Sequence, residues 1–129
     1  MVGLIGIQKD DEFYMGEALK EARKAFEEGE VPIGAVIVHE PPSQTPKIIA
    51  RAHNQVEMLH DATAHAEMIA ITQAEEHLGN WRLSYCTIYV TVEPCIMCCG
   101  AMILSRIRRL CYGGKDLKAG GFDSFFNLL

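Results

Sequence analysis

His65-Ala66-Glu67, Glu93-Pro94-Cys95 and Cys98 combine an imidazole, two thiols and a free carboxylate. Such a set suits a metal ion with water beside it. Cys95 and Cys98 are three residues apart, so on a helix both sulfurs face the same way and can reach one ion. A helix N-terminus also favours the thiolate form that a metal requires. One imidazole and two thiolates leave the fourth tetrahedral position of zinc open, which is the catalytic rather than the structural arrangement. Cys99, at i+4 from Cys95, is the rival fourth ligand that would close the site. Glu67 lies about 200° round an ideal helix from His65, poorly placed to ligate but able to lean over the open position. A carboxylate there can take a proton from metal-activated water and redeliver it. On its own, Glu67 also reads as a favourable negative charge in a helix's first turn.

These residues need elements that bring them together. Asp11 to Gly29 reads as a first helix, with Met15, Leu19, Ala22 and Phe26 as its apolar stripe. Ile33 to His39 reads as a strand buried on both faces, and Lys47 to Ala52 as its hairpin partner. Glu40 to Pro46 connects them, because its three prolines cannot sustain a ladder. His53 to Thr63 reads as irregular. A second helix is expected from about Ala64 to Leu78, with Ala66, Ala70, Ala74 and Leu78 on one line and Gly79 at its end. Thr87 to Val92 reads as a central strand, Cys95 to Ser105 as a third helix and Ile107 to Tyr112 as a fourth strand. Another helix could begin at Phe122.

The resulting order, α-β-β-α-β-α-β, implies a three-layer α/β/α sandwich. Its mixed sheet combines an antiparallel first hairpin with a parallel pair formed by the last two strands. Sites in such sheets form where strand C-termini meet helix N-termini, here at His65 and Cys95.

The 129 residues suit one domain, 1–129. Hydrophobic residues make up 49% and charged residues 22%, which excludes a disordered chain. No apolar run approaches the roughly 20 residues of a membrane helix. Met1 to Ile7 lacks a basic flank, so no secretory signal is expected and a cytoplasmic protein is. Five cysteines, two of them adjacent, argue against a disulfide framework. The net charge of −5 hides an asymmetry: residues 1–80 carry 6 basic and 14 acidic side chains, residues 81–129 carry 6 and 3. Only the C-terminal third could offer phosphates a basic patch. His39, His53, His60 and His77 read as surface or loop residues, Trp81 as a plug over a helix end, and Cys86, Cys99 and Cys111 as small buried hydrophobes.

H-x-E followed by P-C-x-x-C is the pattern of zinc nucleobase deaminases. Thr63-Ala-His-Ala-Glu-Met-Ile-Ala-Ile71, Tyr89-Val-Thr-Val-Glu-Pro-Cys-Ile-Met-Cys98 and Gly100-Ala-Met102 together resemble the bacterial tRNA adenosine deaminases of the cytidine deaminase superfamily. Glu30-Val-Pro-Ile-Gly-Ala-Val36, Ser105-Arg-Ile107 and Tyr112-Gly-Gly-Lys-Asp116 are similar too, so the resemblance covers roughly residues 10 to 124. It implies a homodimer that binds one Zn²⁺ per chain and converts the wobble adenosine of a tRNA anticodon arm to inosine. His65, Cys95 and Cys98 match the zinc ligands and Glu67 the proton shuttle. The Ala66 amide and Asn54 match groups that contact the base, although Asn54 alone also reads as a turn-former.

The implied reaction is attack of activated water on C6 of adenine. Glu67 protonates N1 and then the departing amine, and ammonia leaves. A base must unstack to enter, which costs least in a single-stranded loop. Ile33 and Val92 are the expected apolar walls. Arg106, Arg108, Arg109, Lys115, Asp116 and Lys118 are the expected RNA-facing residues; a solvated strand edge is the plainer reading, because alternation points neighbouring arginines to opposite faces.

Against the family pattern, the chain stops at Leu129, before a further strand and a C-terminal helix: either it is trimmed, or the sheet has four strands and part of the RNA-contacting surface is missing. The loop Glu40 to Pro46 is also longer than usual. A deaminase of a free base or nucleoside, of guanine or cytosine type, shares the metal centre and is the alternative. A non-catalytic zinc-stabilised interaction module is a third reading, which Glu67 and the open fourth position argue against.

Overall fold

The computed structural model describes residues 8–114, 116, 120 and 121. It contains α1 (Asp11–Glu27), β1 (Gly34–His39), β2 (Lys47–His53), α2 (Val56–Leu59), α3 (Ala66–Leu78), β3 (Cys86–Val90), α4 (Ile96–Ser105) and β4 (Arg109–Tyr112). The sheet order is β2-β1-β3-β4. β1 pairs antiparallel with both β2 and β3, whereas β3 and β4 are parallel. The strand–helix–strand unit β3–α4–β4 provides the crossover that a parallel pair needs.

Strand alternation sorts the core into two layers. Ala35, Ile37, Ile88 and Val90 face α3 and α4, where they pack with Ala66, Ala70, Ile71, Cys98 and Met102. Val36, Val38 and Tyr89 face the other way, toward Ala18 of α1. Helices therefore cover both faces, which is the expected three-layer sandwich. Both β1 and β3 are buried on both faces, hence their unbroken apolar runs.

Several expectations change. The buried residues of α1 include Asp11, Ala18, Ala22 and Ala25, while Leu19 and Phe26 are exposed. The expected stripe was rotated because small residues, not large ones, face the sheet. Close approach is the reason: a Cβ at Gly34 would run into the Ala18 carbonyl and the Ala22 amide. Residues 53–63 are not wholly irregular, since α2 forms within them. Trp81 is no plug; its ring is exposed, with the Arg82 and Arg106 guanidinium groups over it. Among the histidines, His53 departs from a plain surface role, because it ends β2 between Glu28 (2.9 Å) and Glu21 (3.5 Å). The possible helix at Phe122 and the segment Met1 to Ile7 lie outside the described residues. Among the described residues, no helix is long and apolar enough to cross a membrane.

A second polar cluster lies on the α1 side. The Arg109 guanidinium donates to Asp11 from Nη1 (2.7 Å) and from Nη2, and the Tyr89 hydroxyl donates to Asp11 Oδ1 at 2.7 Å. All three residues are buried. Arg109 is therefore committed inside the protein and is removed from the RNA-facing set: fully desolvating an arginine requires a carboxylate partner.

Candidate metal centre and active site

Two chain reversals build the centre. His65 is the N-cap of α3 and Cys95 the N-cap of α4, both with extended backbone (φ −74° in each). Their side chains thus stand at two helix N-termini, where the unpaired amides favour negative charge. Cys98 follows one turn into α4 and is fully buried.

His65 Nδ1 lies 3.6 Å from each sulfur, and the two sulfurs are 3.7 Å apart. Bonds of about 2.0–2.1 Å to nitrogen and about 2.3 Å to sulfur at tetrahedral angles give edges of about 3.6 Å for N–S and about 3.8 Å for S–S. The three ligand atoms therefore already form one face of a zinc tetrahedron. Cys99 does not join them: its sulfur points at the Pro94 carbonyl, 3.7 Å away. The closed four-ligand alternative fails for that reason, and the fourth vertex stays open to a small molecule. A hydrogen bond from Cys98, together with the nearby α4 amides, lowers the Cys95 thiol to about 5. The same bond, reinforced by burial, raises Cys98.

Glu67 is buried, and its Oε1 has no hydrogen-bond partner among the described residues. Burial pushes its carboxyl up to about 6. Cys98, Cys95 and His65 are all close enough to act on its titration. A buried carboxylate with an unused oxygen beside an open metal vertex is suited to holding and releasing a proton near neutral pH.

Beside His65 is a cavity of about 260 Å³ lined by Ile33, Asn54, Ala66 and His65, with Glu30, Val56 and Glu57. Asn54 is buried with its Oδ1 unpartnered among the described residues. The structure thus brings Ile33, Asn54 and Ala66 to one cavity. Val92, half-buried in the connection after β3, is not among the lining residues.

The RNA-facing expectations fare unevenly. Arg106 ends α4 and donates to the carbonyls of Ile103 and Leu104. Both Arg106 and the exposed Arg108 lie at the far end of α4 from Cys95, roughly 15 Å along the helix. Asp116, by contrast, is near the centre: its amide donates to Glu93 Oε1 at 3.2 Å. Lys115 and Lys118 lie outside the described residues.

Glu93 and Glu30 stand in the sequence motifs without a role of their own. Glu93 is buried, and its carboxylate fills the space a Cβ on Gly120 would need. Gly120 forms an isolated bridge with Cys95, so this segment braces the ligand loop. Only the pairing of charge with burial marks such residues, and burial is not legible in a single charged letter.

Residues 8–114 match the cytidine and deoxycytidylate deaminase zinc-binding region. A tRNA-specific adenosine deaminase of Aquifex aeolicus is 51% identical over 118 residues, covering 92% of this chain and 75% of the relative. Its counterpart in Bacillus subtilis is 52% identical, covering 92% and 71%. The chain belongs to the tRNA-specific adenosine deaminase family.

Solved structures agree. One, from work on A-to-I editing by tRNA:A34 deaminases, superposes with a TM-score of 0.81 at 48% identity, covering 88% of this chain and 78% of that one. A guanine deaminase from Bacillus subtilis superposes at 0.74 with 36% identity, covering 81% and 64%. The chain is a deaminase that uses zinc, and His65, Cys95 and Cys98 are placed to hold the ion.

Proposed function

We propose that this protein hydrolytically deaminates the wobble adenosine of a tRNA anticodon arm to inosine, in the cytoplasm and as a homodimer. The observation that carries the reading is the open-vertex triangle of His65, Cys95 and Cys98 beside buried Glu67. The named relatives supply the substrate class. When bound, zinc lowers the pKa of water at its fourth position to about 7 and so supplies a nucleophile at neutral pH.

The chain's own residues do the rest. Glu67 accepts the proton that the attacking water loses and donates it to N1 of adenine. It then takes the remaining proton of the hydroxyl added at C6 and delivers it to the C6 amine; the C6–N bond breaks, a C6 carbonyl forms and ammonia leaves. Asn54 and the Ala66 amide hold the base in the cavity, and Ile33 packs against it. Asp116, whose amide bonds to Glu93 beside the ligand loop, is an RNA-facing residue; Arg106 and Arg108 offer positive charge at the far end of α4, and Lys115 and Lys118 complete the RNA-facing set. The exposed apolar residues of α4, Ile96, Ile103 and Leu104, support a surface that a second copy covers.

The discriminating assay offers an adenosine-containing anticodon stem-loop, free adenosine, guanine and cytosine to the purified enzyme. Ammonia release from the stem-loop is expected, and release from only the small molecules would replace the tRNA reading with the free-base one. A mass measurement in solution should give twice the chain mass.

A further inference from the structure

Glu30 sits where α1 gives way to β1, directly after Gly29, whose φ of +77° turns the chain out of the helix. A glutamate in an exposed turn normally faces water, yet this one is 6% exposed. Its carboxylate crosses to a distant segment. Oε1 accepts the Glu57 amide at 3.0 Å and Oε2 accepts the Met58 amide at 2.8 Å.

Those amides belong to the first turn of α2, which has no partner of its own for them. Gln55, the N-cap residue, makes no side-chain cap, and no residue of α2 is buried. Neither local capping nor apolar packing therefore explains why this four-residue helix stands where it does. Backbone bonds hold its flanks, from the Asn54 amide to Ile33 and from the Gln55 amide to Ala64, and two charge-assisted bonds from one buried carboxylate fix its first turn. The same short segment lines the cavity through Val56 and Glu57, and it follows Asn54 directly.

We propose that Glu30 is a positioning residue for the nucleobase pocket, holding α2 so that Asn54 and Val56 meet the incoming base. This rests on reading the cavity as the place where the base binds. Glu30 itself touches no reacting atom; both its oxygens already accept backbone amides. Its loss should therefore be felt in substrate binding, with metal retention and proton transfer unchanged.

The test uses zinc-loaded full-length E30A and E30Q with the adenosine stem-loop. E30A should raise KM about tenfold and leave kcat within about threefold, because only pocket geometry is lost. Gln keeps one acceptor and turns an amide toward the other N–H, so E30Q should raise KM by an intermediate factor. Both variants should retain one zinc per chain. Hydrogen exchange should accelerate at the Glu57 and Met58 amides, while the Cys99 amide, bonded to the Cys95 carbonyl, stays protected. E30Q covers the case in which E30A does not fold. An unchanged KM, or a fall in kcat with zinc loss, would overturn the inference. If the wild-type enzyme fails to deaminate the stem-loop, the functional reading falls first and takes this one with it.

Discussion

On the α1 face of the sheet, Asp11, Tyr89 and Arg109 bond to one another; on the α3–α4 face, Glu67 and Asn54 keep oxygens without partners among the described residues. Both clusters are buried, and both contain a carboxylate. Their titrations diverge. A hydrogen bond from Arg109 holds Asp11 down at about 2, whereas burial lifts Glu67 to about 6. The first cluster spends its charge on cohesion. The second holds a carboxylate whose charge burial disfavours, with oxygens left for a ligand or a reacting atom.

Removing the acid in each cluster should separate the two roles. E67Q should keep zinc and fold but lose about 10²–10⁴ of turnover, measured as ammonia release. D11A should do the opposite, leaving Arg109 buried without its partner and costing about 3–5 kcal/mol in denaturant unfolding. Equal losses of turnover in the two variants would erase the distinction.

Stability should depend on pH with opposite signs in the two clusters. Asp11 has a folded pKa below its ordinary 3.8, so its contribution is complete above that value and disappears as pH falls toward 2. Glu67 has a folded pKa above its ordinary 4.5, so ionising it weakens the fold as pH rises through about 6. In metal-free protein, E67Q should therefore unfold later than wild type at pH 7 and together with it at pH 4. Identical melting curves at both values would refute the raised pKa.

The smallest effect is expected at the far end of α4. Binding of the stem-loop should weaken as salt rises. Removing Arg106 and Arg108 together should change that salt slope by less than about two units, the value expected if both met phosphates. Arg106 is already engaged with the carbonyls that close α4.

What could be read from the sequence follows the range of the interactions involved. The metal triangle was legible because each ligand caps a helix or lies in its first turn and the pair Cys95–Cys98 spans one turn. The sandwich was legible because β1 and β3 are apolar runs with helices between them. Asp11 and Arg109 stand 98 residues apart, and neither letter announces the other. Glu30 and α2 were hidden for the same reason: four residues, none of them buried, are capped by a carboxylate 27 positions upstream. The face of α1 was misjudged because Gly34 admits alanines closer to the sheet than leucine or phenylalanine could come.

β3 serves both clusters at once. Tyr89 points to Asp11, its neighbours Ile88 and Val90 point into the opposite core, and the strand's exit leads to Cys95. Sliding β3 by a single residue would invert that alternation, pressing the tyrosine hydroxyl into oil and leaving Asp11 facing isoleucine. The Asp11–Tyr89–Arg109 knot thus acts as a proofreader of strand alignment: a misthreaded sheet forfeits it, and only the correctly threaded one delivers the sulfurs opposite the imidazole.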